Sequence, residues 1–281
     1  MRLGLFLFTT DEAVNVATLA EVAEHAGLES IWVPEHTHIP ADPNTTLPLG
    51  GPLPRSYSRL LDPLLALATA AVTTERLTLG TAVTLTASHD PIILAKQIAS
   101  LDHLSGGRLI LGVGAGWNRG ELANHGVEFD TRWRRAREHL DAMKAIWTEE
   151  EASYCGRWVS FDRIWSWPKP VQRPHPPVLF GTIQASPLVI AHADGWLPLS
   201  VAHPGQLRER VAALRRMAED AGRDPDGLDI TVMYLESVTP EKLRDFADAG
   251  ATRLIIRPPV NDLADYRAFI ARYADLLHPA R

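Results

Sequence analysis

The stretch Arg108–Glu121, RLILGVGAGWNRGE, decides the fold. Its first half is a short leucine-rich and β-branched run of the kind that fills a strand buried on both faces. Gly112, Gly114 and Gly116 then alternate before Trp117, Asn118 and Arg119. A strand that ends in glycines lets another surface approach its backbone, because no Cβ stands in the way. The spacing is G-x-G-x-G, and no acidic residue ends a following strand about 20 positions on, so a dinucleotide fingerprint does not fit. The glycines alone leave a ligand-free turn open. The chain on either side places the stretch inside a barrel.

Upstream, Leu3–Phe8 reads as a first strand, and Thr9-x-x-Glu12 as a capping box opening a helix. Val16, Leu19, Ala20, Ala23 and Ala26 share one face of that helix, and Gly27 stops it. Ser30–Pro34 is the second strand. A polar, proline-rich excursion follows to about Ser58, a length typical of binding loops or lids. Leu60–Val72 is helical, Leu77–Val83 is the third strand, and Pro91–Leu104 is a helix with proline in its first turn.

The fourth strand is Arg108–Gly114. Downstream, Trp133, Ala136, Leu140, Met143 and Trp147 step by three and four along a helix. Residues 149–176 break the rhythm with four prolines and three tryptophans, and read as a hairpin and an extended segment. Strands are then expected at Val178–Gly181, Gly195–Leu199, Asp229–Tyr234 and Thr252–Arg257. Helices are expected at Pro187–Ala193, around Leu207–Ala218, at Pro240–Ala249, and from Leu263 through Tyr273. Eight βα units without a composition break predict one (β/α)8 TIM barrel domain over residues 1–281, with insertions after strands 2 and 4. A doubly wound open sheet is the alternative.

Composition narrows the function. Cys155 is the only cysteine, so no internal disulfide or cysteine-rich metal site can form. The net charge of −6 is mild and no basic cluster offers a nucleic-acid footprint. The N-terminal apolar run is too short for a signal peptide, and no stretch reaches the roughly 20 apolar residues of a membrane span. A cytoplasmic protein with a small-molecule partner, and neither nucleic acid nor membrane, is the expectation.

In such a barrel, chemistry gathers at the carboxyl ends of the strands. The second strand ends Pro34-Glu35-His36-Thr37-His38, the third Thr81-Ala82-Val83-Thr84, the fourth Gly114 to Asn118, and the fifth Gly181-Thr182. Polar rims around small residues suit a large flat ligand, with Trp117 as a wall. The fifth-strand turn, with Ser186 and Pro187 at a helix start, is a candidate phosphate cradle. His36 and His38 have the spacing of an H-x-H metal pair. That site would need further histidines and an aspartate after the eighth strand, which instead runs Arg257-Pro258-Pro259. No metal is assigned. An imidazole that titrates near neutrality suits His36 as a cofactor contact or proton donor.

With these residues in place, the chain resembles the bacterial-luciferase-like superfamily, in its branch assigned to the deazaflavin coenzyme F420. SIWVPEHTHIP, YSRLLDP, SHDPIILAKQIASLDHLSGGR, LGVGAGWNRGELANHG, FDRIWSWPKPVQRPHPPV and ADGWLP carry the resemblance over essentially the whole chain. It implies a cofactor ring across the strand ends and a cis peptide between Ala82 and Val83. It implies that Glu35 and His36 lie at the reacting ring edge and that Ala115 and Gly116 line the ring, beside Gly114 and Trp117, which the strand end itself places in the same cofactor pocket. Gly181, Thr182 and Ser186 would hold the phosphate. The family's sugar-phosphate dehydrogenases carry a glutamate where Trp117 stands, so that reaction is not carried over.

The resulting expectation is an F420-dependent oxidoreductase that moves a hydride to or from a small organic substrate. His36 handles the proton and Glu35 orients it. His38, Tyr57, Arg59 and Asn118 line the substrate side under the excursion. The rivals are a reduced-FMN monooxygenase, a flavin- or deazaflavin-binding protein without turnover, and a metal-dependent hydrolase with zinc on His36 and His38. A homodimer is expected from the resemblance alone.

Overall fold

Short apolar runs alternating with amphipathic helices bury both kinds of face when the runs form one sheet and the helices cover it. The computed structural model describes residues 1–277 except 43, 49 and 237, and in it that sheet closes on itself. The strands are β1 (Arg2–Phe6), β2 (Ser30–Val33), β3 (Thr78–Thr81), β4 (Thr84–Leu85), β5 (Leu109–Gly114), β6 (Ala152–Cys155), β7 (Ser160–Ile164), β8 (Val178–Thr182), β9 (Gly195–Pro198), β10 (Asp229–Tyr234) and β11 (Arg253–Ile256). Eight of them, β1, β2, β3, β5, β8, β9, β10 and β11, pair in parallel around a ring. The β3–β5 register, Leu79 opposite Leu109, completes the ring, and β4 extends the third strand beside the end of β5.

The outer helices are α1 (Val16–His25), α2 (Pro63–Thr73), α3 (Pro91–Leu104), α4 (Arg119–Asn124), α5 (Arg132–Thr148), α6 (Pro187–His192), α7 (Pro204–Asp220), α8 (Pro240–Asp248) and α9 (Leu263–Leu277). Five of them begin alike: Asp62, Asp90, Ser186, His203 and Thr239 each cap backbone N–H groups, and proline follows. Proline loses nothing there, because the first-turn N–H has no helical partner. Two apolar layers result. One lies between strands and helices, and the other, with Phe6, Phe8, Trp32, Ile110, Leu179 and Ile255, fills the barrel.

The expected eight strands and the hairpin (β6 with β7) are present, and two boundaries are corrected. The first helix starts at Val16, capped by Asn15, because the Thr10 hydroxyl accepts the Glu12 N–H in a local turn and the capping box never forms. The second starts at Pro63, after a 3-10 turn over Arg55–Arg59. Helix α4 was not anticipated. Among the described residues no helix is long and apolar enough to cross a membrane. Positions 43 and 49 of the excursion and 278–281 of the expected domain lie outside the described residues.

The amino ends of the strands are closed by charge. Arg253, fully buried, donates to both oxygens of Glu29 at 2.8 Å, to Asp229 Oδ2 at 3.0 Å and to Thr231 Oγ1 at 2.7 Å. Burial alone would raise the Asp229 pKa, but Arg253 and Arg2 beside it bring it below the ordinary carboxylate value of 3.8. Its stabilising contribution is therefore present above pH 3.8 and is lost as the pH falls through the depressed native value. Arg253→Met leaves Glu29 and Asp229 with Arg2 as their remaining cation and should lower the unfolding free energy by about 3 kcal/mol at pH 7. Urea titrations should show wild type and variant converging in acid. A constant gap down to pH 3 contradicts the assignment.

Candidate active site

Consecutive residues of an extended chain point to opposite sides, and this separates Glu35 from His36 where β2 ends. Glu35 is buried and turns toward the third strand: it accepts the Leu85 N–H at 2.6 Å and lies 2.6 Å from His89 Nε2. It thus fastens the segment that follows the cis peptide between Ala82 and Val83. His36 turns the other way, and its Nδ1 lies 2.7 Å from Glu121 Oε2. The carboxylate that holds His36 is Glu121, correcting the expectation that Glu35 does so. Asn118, expected on the substrate side, instead caps α4 by accepting from the N–H groups of Gly120 and Glu121, and thereby sets the position of Glu121.

Glu121 also accepts the Thr37 N–H at 2.9 Å. The Thr37 hydroxyl lies 2.7 Å from His125 Nε2 and 2.9 Å from His38 Nδ1, while Asn124 Nδ2 lies 2.9 Å from His38 Nε2. One hydroxyl has one proton, so Thr37 can donate to only one of His125, His38 and Glu121 Oε1 at a time. Burial pushes the His125 pKa down, and neighbouring His38 adds to the effect. His36 and His38 turn to different partners, and among the described residues no group of three or more His, Cys, Asp or Glu is arranged to hold a metal.

Aromatic rings enclose His36. Tyr57 and Trp117 stand 5.5 and 5.4 Å from it, centroid to centroid, and Phe8 stands 5.1 Å from Tyr57. Burial pushes the Tyr57 phenol above its ordinary range, with Arg257 acting in the opposite sense. Trp117 remains half-exposed, so it forms a wall and does not seal the mouth.

Beside these rings the surface is poor in side chains. Val83 occupies the space that a Cβ at Gly114 or Gly181 would take, so both glycines are required by a neighbouring strand. Ala82 belongs to the cluster that fills the barrel. Ala115 is a correction: it packs with Ala87, Leu122 and Ala136 beneath α4 and α5, away from the mouth. Gly116 turns the chain at φ +79°, and its carbonyl accepts from Arg132 Nε. The Thr182 hydroxyl donates to the Gln184 carbonyl and accepts from Trp196 Nε1, while Ser186 caps α6. Arg59 pairs with Asp11 and Glu12, which takes it out of the expected substrate lining.

Sequence reasoning missed Glu121, His89 and Arg257. Asn118-x-x-Glu121 has the spacing of a helix start, and that signal could have found α4 and with it Glu121.

A model of the luciferase-like monooxygenase family matches residues 1–279. A Mycobacterium tuberculosis protein described as uncharacterized is 43% identical over 280 residues, 98% of each chain. Among solved structures, a monooxygenase from Streptomyces bottropensis has a TM-score of 0.81 at 22% identity, covering 99% of both chains. The coenzyme F420-dependent tetrahydromethanopterin reductase of Methanopyrus kandleri has a TM-score of 0.76 at 18% identity, covering 99% of this chain and 98% of that one. These two likenesses concern the fold.

The Glu35–His89 pair has a titration signature. Burial would lower the His89 pKa, but the Glu35 carboxylate more than offsets this and raises it above 6.5. The pair therefore stabilises the fold below pH 6.5 and loses that contribution as pH rises through the raised value. In Glu35→Gln burial is opposed only by the Asp62 charge. Imidazole NMR should then place the His89 midpoint below 6.5, against a wild-type midpoint above it. Coincident midpoints contradict the pairing.

Proposed function

The chain belongs to the luciferase-like monooxygenase family, and from that premise we propose that it is an F420-dependent oxidoreductase transferring a hydride between the deazaflavin and a small organic substrate. The observation that carries the proposal is His36, held at 2.7 Å by buried Glu121 and walled by Tyr57 and Trp117 at the carboxyl end of β2. A hydride added to a carbonyl needs one proton to complete the reduction, and one oriented imidazole supplies it.

The side-chain-poor mouth supports the reading of a flat redox ring seated there. Ala82 and Val83, backed by Gly114 and Gly181, give an apolar seat, and Leu199 and Met233 pack against the same cluster. The turn from Gly181 through Thr182 to Ser186 would hold the phosphate by its backbone N–H groups and the Ser186 hydroxyl, since the Thr182 hydroxyl donates internally to Gln184 while Ser186 Oγ only accepts. Bound there, the cofactor supplies the two-electron chemistry. The chain's own residues do the remainder. Glu121 accepts from His36 Nδ1, fixes the tautomer and leaves Nε2 to carry the exchanged proton. Tyr57 and Trp117 keep water off the imidazole, and Thr37 links Glu121 to His125 and His38 at the rim.

A homodimer accompanies this reading. On adjacent α2 and α3, Leu65, Val72, Ile93 and Leu104 are all exposed, and such an apolar face can pair with its own copy across a twofold axis. Leu65→Glu with Ile93→Glu should halve the mass seen by analytical ultracentrifugation. A wild-type monomer rejects the dimer.

For the cofactor, the apoprotein should bind F420 far more tightly than FMN in parallel titrations. Tight FMN binding without F420 binding would overturn the proposal in favour of the monooxygenase. Across a panel of aldehydes, ketones and enones, His36→Ala should lose turnover by about 100-fold or more. Its F420 affinity should stay within about tenfold, roughly 1.4 kcal/mol. Undiminished turnover removes His36 from the chemistry.

A further inference from the structure

Strand β11 ends at Ile256, and Arg257 follows at the mouth, ahead of Pro258 and Pro259. Two prolines fix their own φ angles, so the guanidinium is presented from a stiff turn. Arg257 is exposed, and its guanidinium carbon lies 4.2 Å from the Phe8 ring centroid, a stacking that orients the planar fork. Among the described residues no carboxylate pairs with it. The acidic side chains that follow its neighbour Thr10 are already neutralised: Asp11 by Arg59, and Glu12 by Arg55 and Arg59.

Arg257 borders a depression of about 360 Å³ whose wall includes Phe8, Thr10, Ser56, Leu235 and Pro258. That volume suits a small organic molecule. The depression adjoins the His36 recess through shared rings: Phe8 stacks under Arg257, Tyr57 stands 5.1 Å from Phe8, and His36 stands 5.5 Å from Tyr57. An unneutralised cation, an apolar wall and an oriented imidazole thus follow one another along a single rim.

We propose that Arg257 anchors a carboxylate of the substrate, so that the enzyme acts on a small organic acid whose apolar body lies along Phe8 and Tyr57 and whose reacting carbon reaches His36. This rests on the oxidoreductase reading for the reaction, but the recognition step stands on the chain's own residues. Arg257 pairs with carboxylate oxygens through two parallel N–H bonds, a geometry that a lysine ammonium cannot reproduce. Arg59 cannot serve instead, because its charge is already met by Asp11 and Glu12.

The test uses cofactor-free protein and two probes of equal shape, benzoate and benzamide, in isothermal titration calorimetry. Wild type should bind benzoate at least about tenfold more tightly than benzamide, as a charge-assisted bidentate pair requires. Arg257→Met should bring the two within about twofold, and Arg257→Lys should keep an intermediate preference. Thermal melts followed by circular dichroism should leave both variants folded, since the side chain is exposed. Equal binding of the two probes by wild type, or a benzoate preference that survives in Arg257→Met, overturns the proposal. So does an Arg257→Met variant that loses F420 affinity by about tenfold while still preferring benzoate, because the cation then serves the cofactor. Benzoate preference without any F420 binding would leave the anchor standing and reject only the cofactor assignment.

Discussion

The Val83 side chain fills the space above Gly114 and Gly181, and the arrangement of the mouth follows from that contact. Three neighbouring strands meet there, and closure of a parallel barrel leaves room for one branched side chain among them. Any Cβ at either glycine would overlap the Val83 methyls and push β3 away from β5 and β8. Because Val83 occupies that position, its outer surface becomes the apolar seat of the mouth. Glu35 secures the far end of the same segment by taking the Leu85 N–H and His89. The seat is thus clasped from below by missing side chains and from the side by a buried carboxylate.

This contact also explains which parts of the fold could be read directly. The alternation of buried runs and amphipathic helices gives all eight barrel strands, and α3 and β10 have the expected bounds, because both have caps or turn residues at their ends. The alternate glycines of the fourth strand were legible as a close approach. That the approaching group is Val83 was not, since nothing local to Arg108–Glu121 records what the third strand presents to it. Helix α4 escaped for a related reason: six residues, RGELAN, are too few to show a period of 3.6.

The exchange of roles between Glu35 and Glu121 shows where adjacency in sequence misleads. Residues 35 and 36 are neighbours along an extended chain, which is why their side chains cannot share a partner. The partner of His36 comes from 85 positions away, and that of Glu35 from 54. Each buried acid meets one histidine and one backbone N–H, so neither carboxylate is left uncompensated in a region of low dielectric. One pair steadies the segment after the cis peptide and the other aims an imidazole. The histidine motif H-x-H follows the same logic: His36 faces Glu121, while His38 is held by Thr37 and Asn124 at the rim.

Charge is distributed along the barrel axis in a way that suits this division. At the amino ends Arg253 is saturated by Glu29, Asp229 and Thr231, and such a network serves stability because no ligand can displace its partners. At the carboxyl ends the cations differ in kind. Arg59 has its carboxylates, whereas among the described residues Arg257 meets the face of Phe8 and no carboxylate, and a ring face orients a guanidinium without neutralising it. A stacked but unneutralised arginine beside a recess keeps its hydrogen-bonding fork for an incoming anion. Together with the Glu121–His36 pair, this gives the proposed function a direction along the rim: charge recognition at the β11 side, proton handling at the β2 side, and between them the aromatic rings of Phe8 and Tyr57 that would set how long the bound molecule can be.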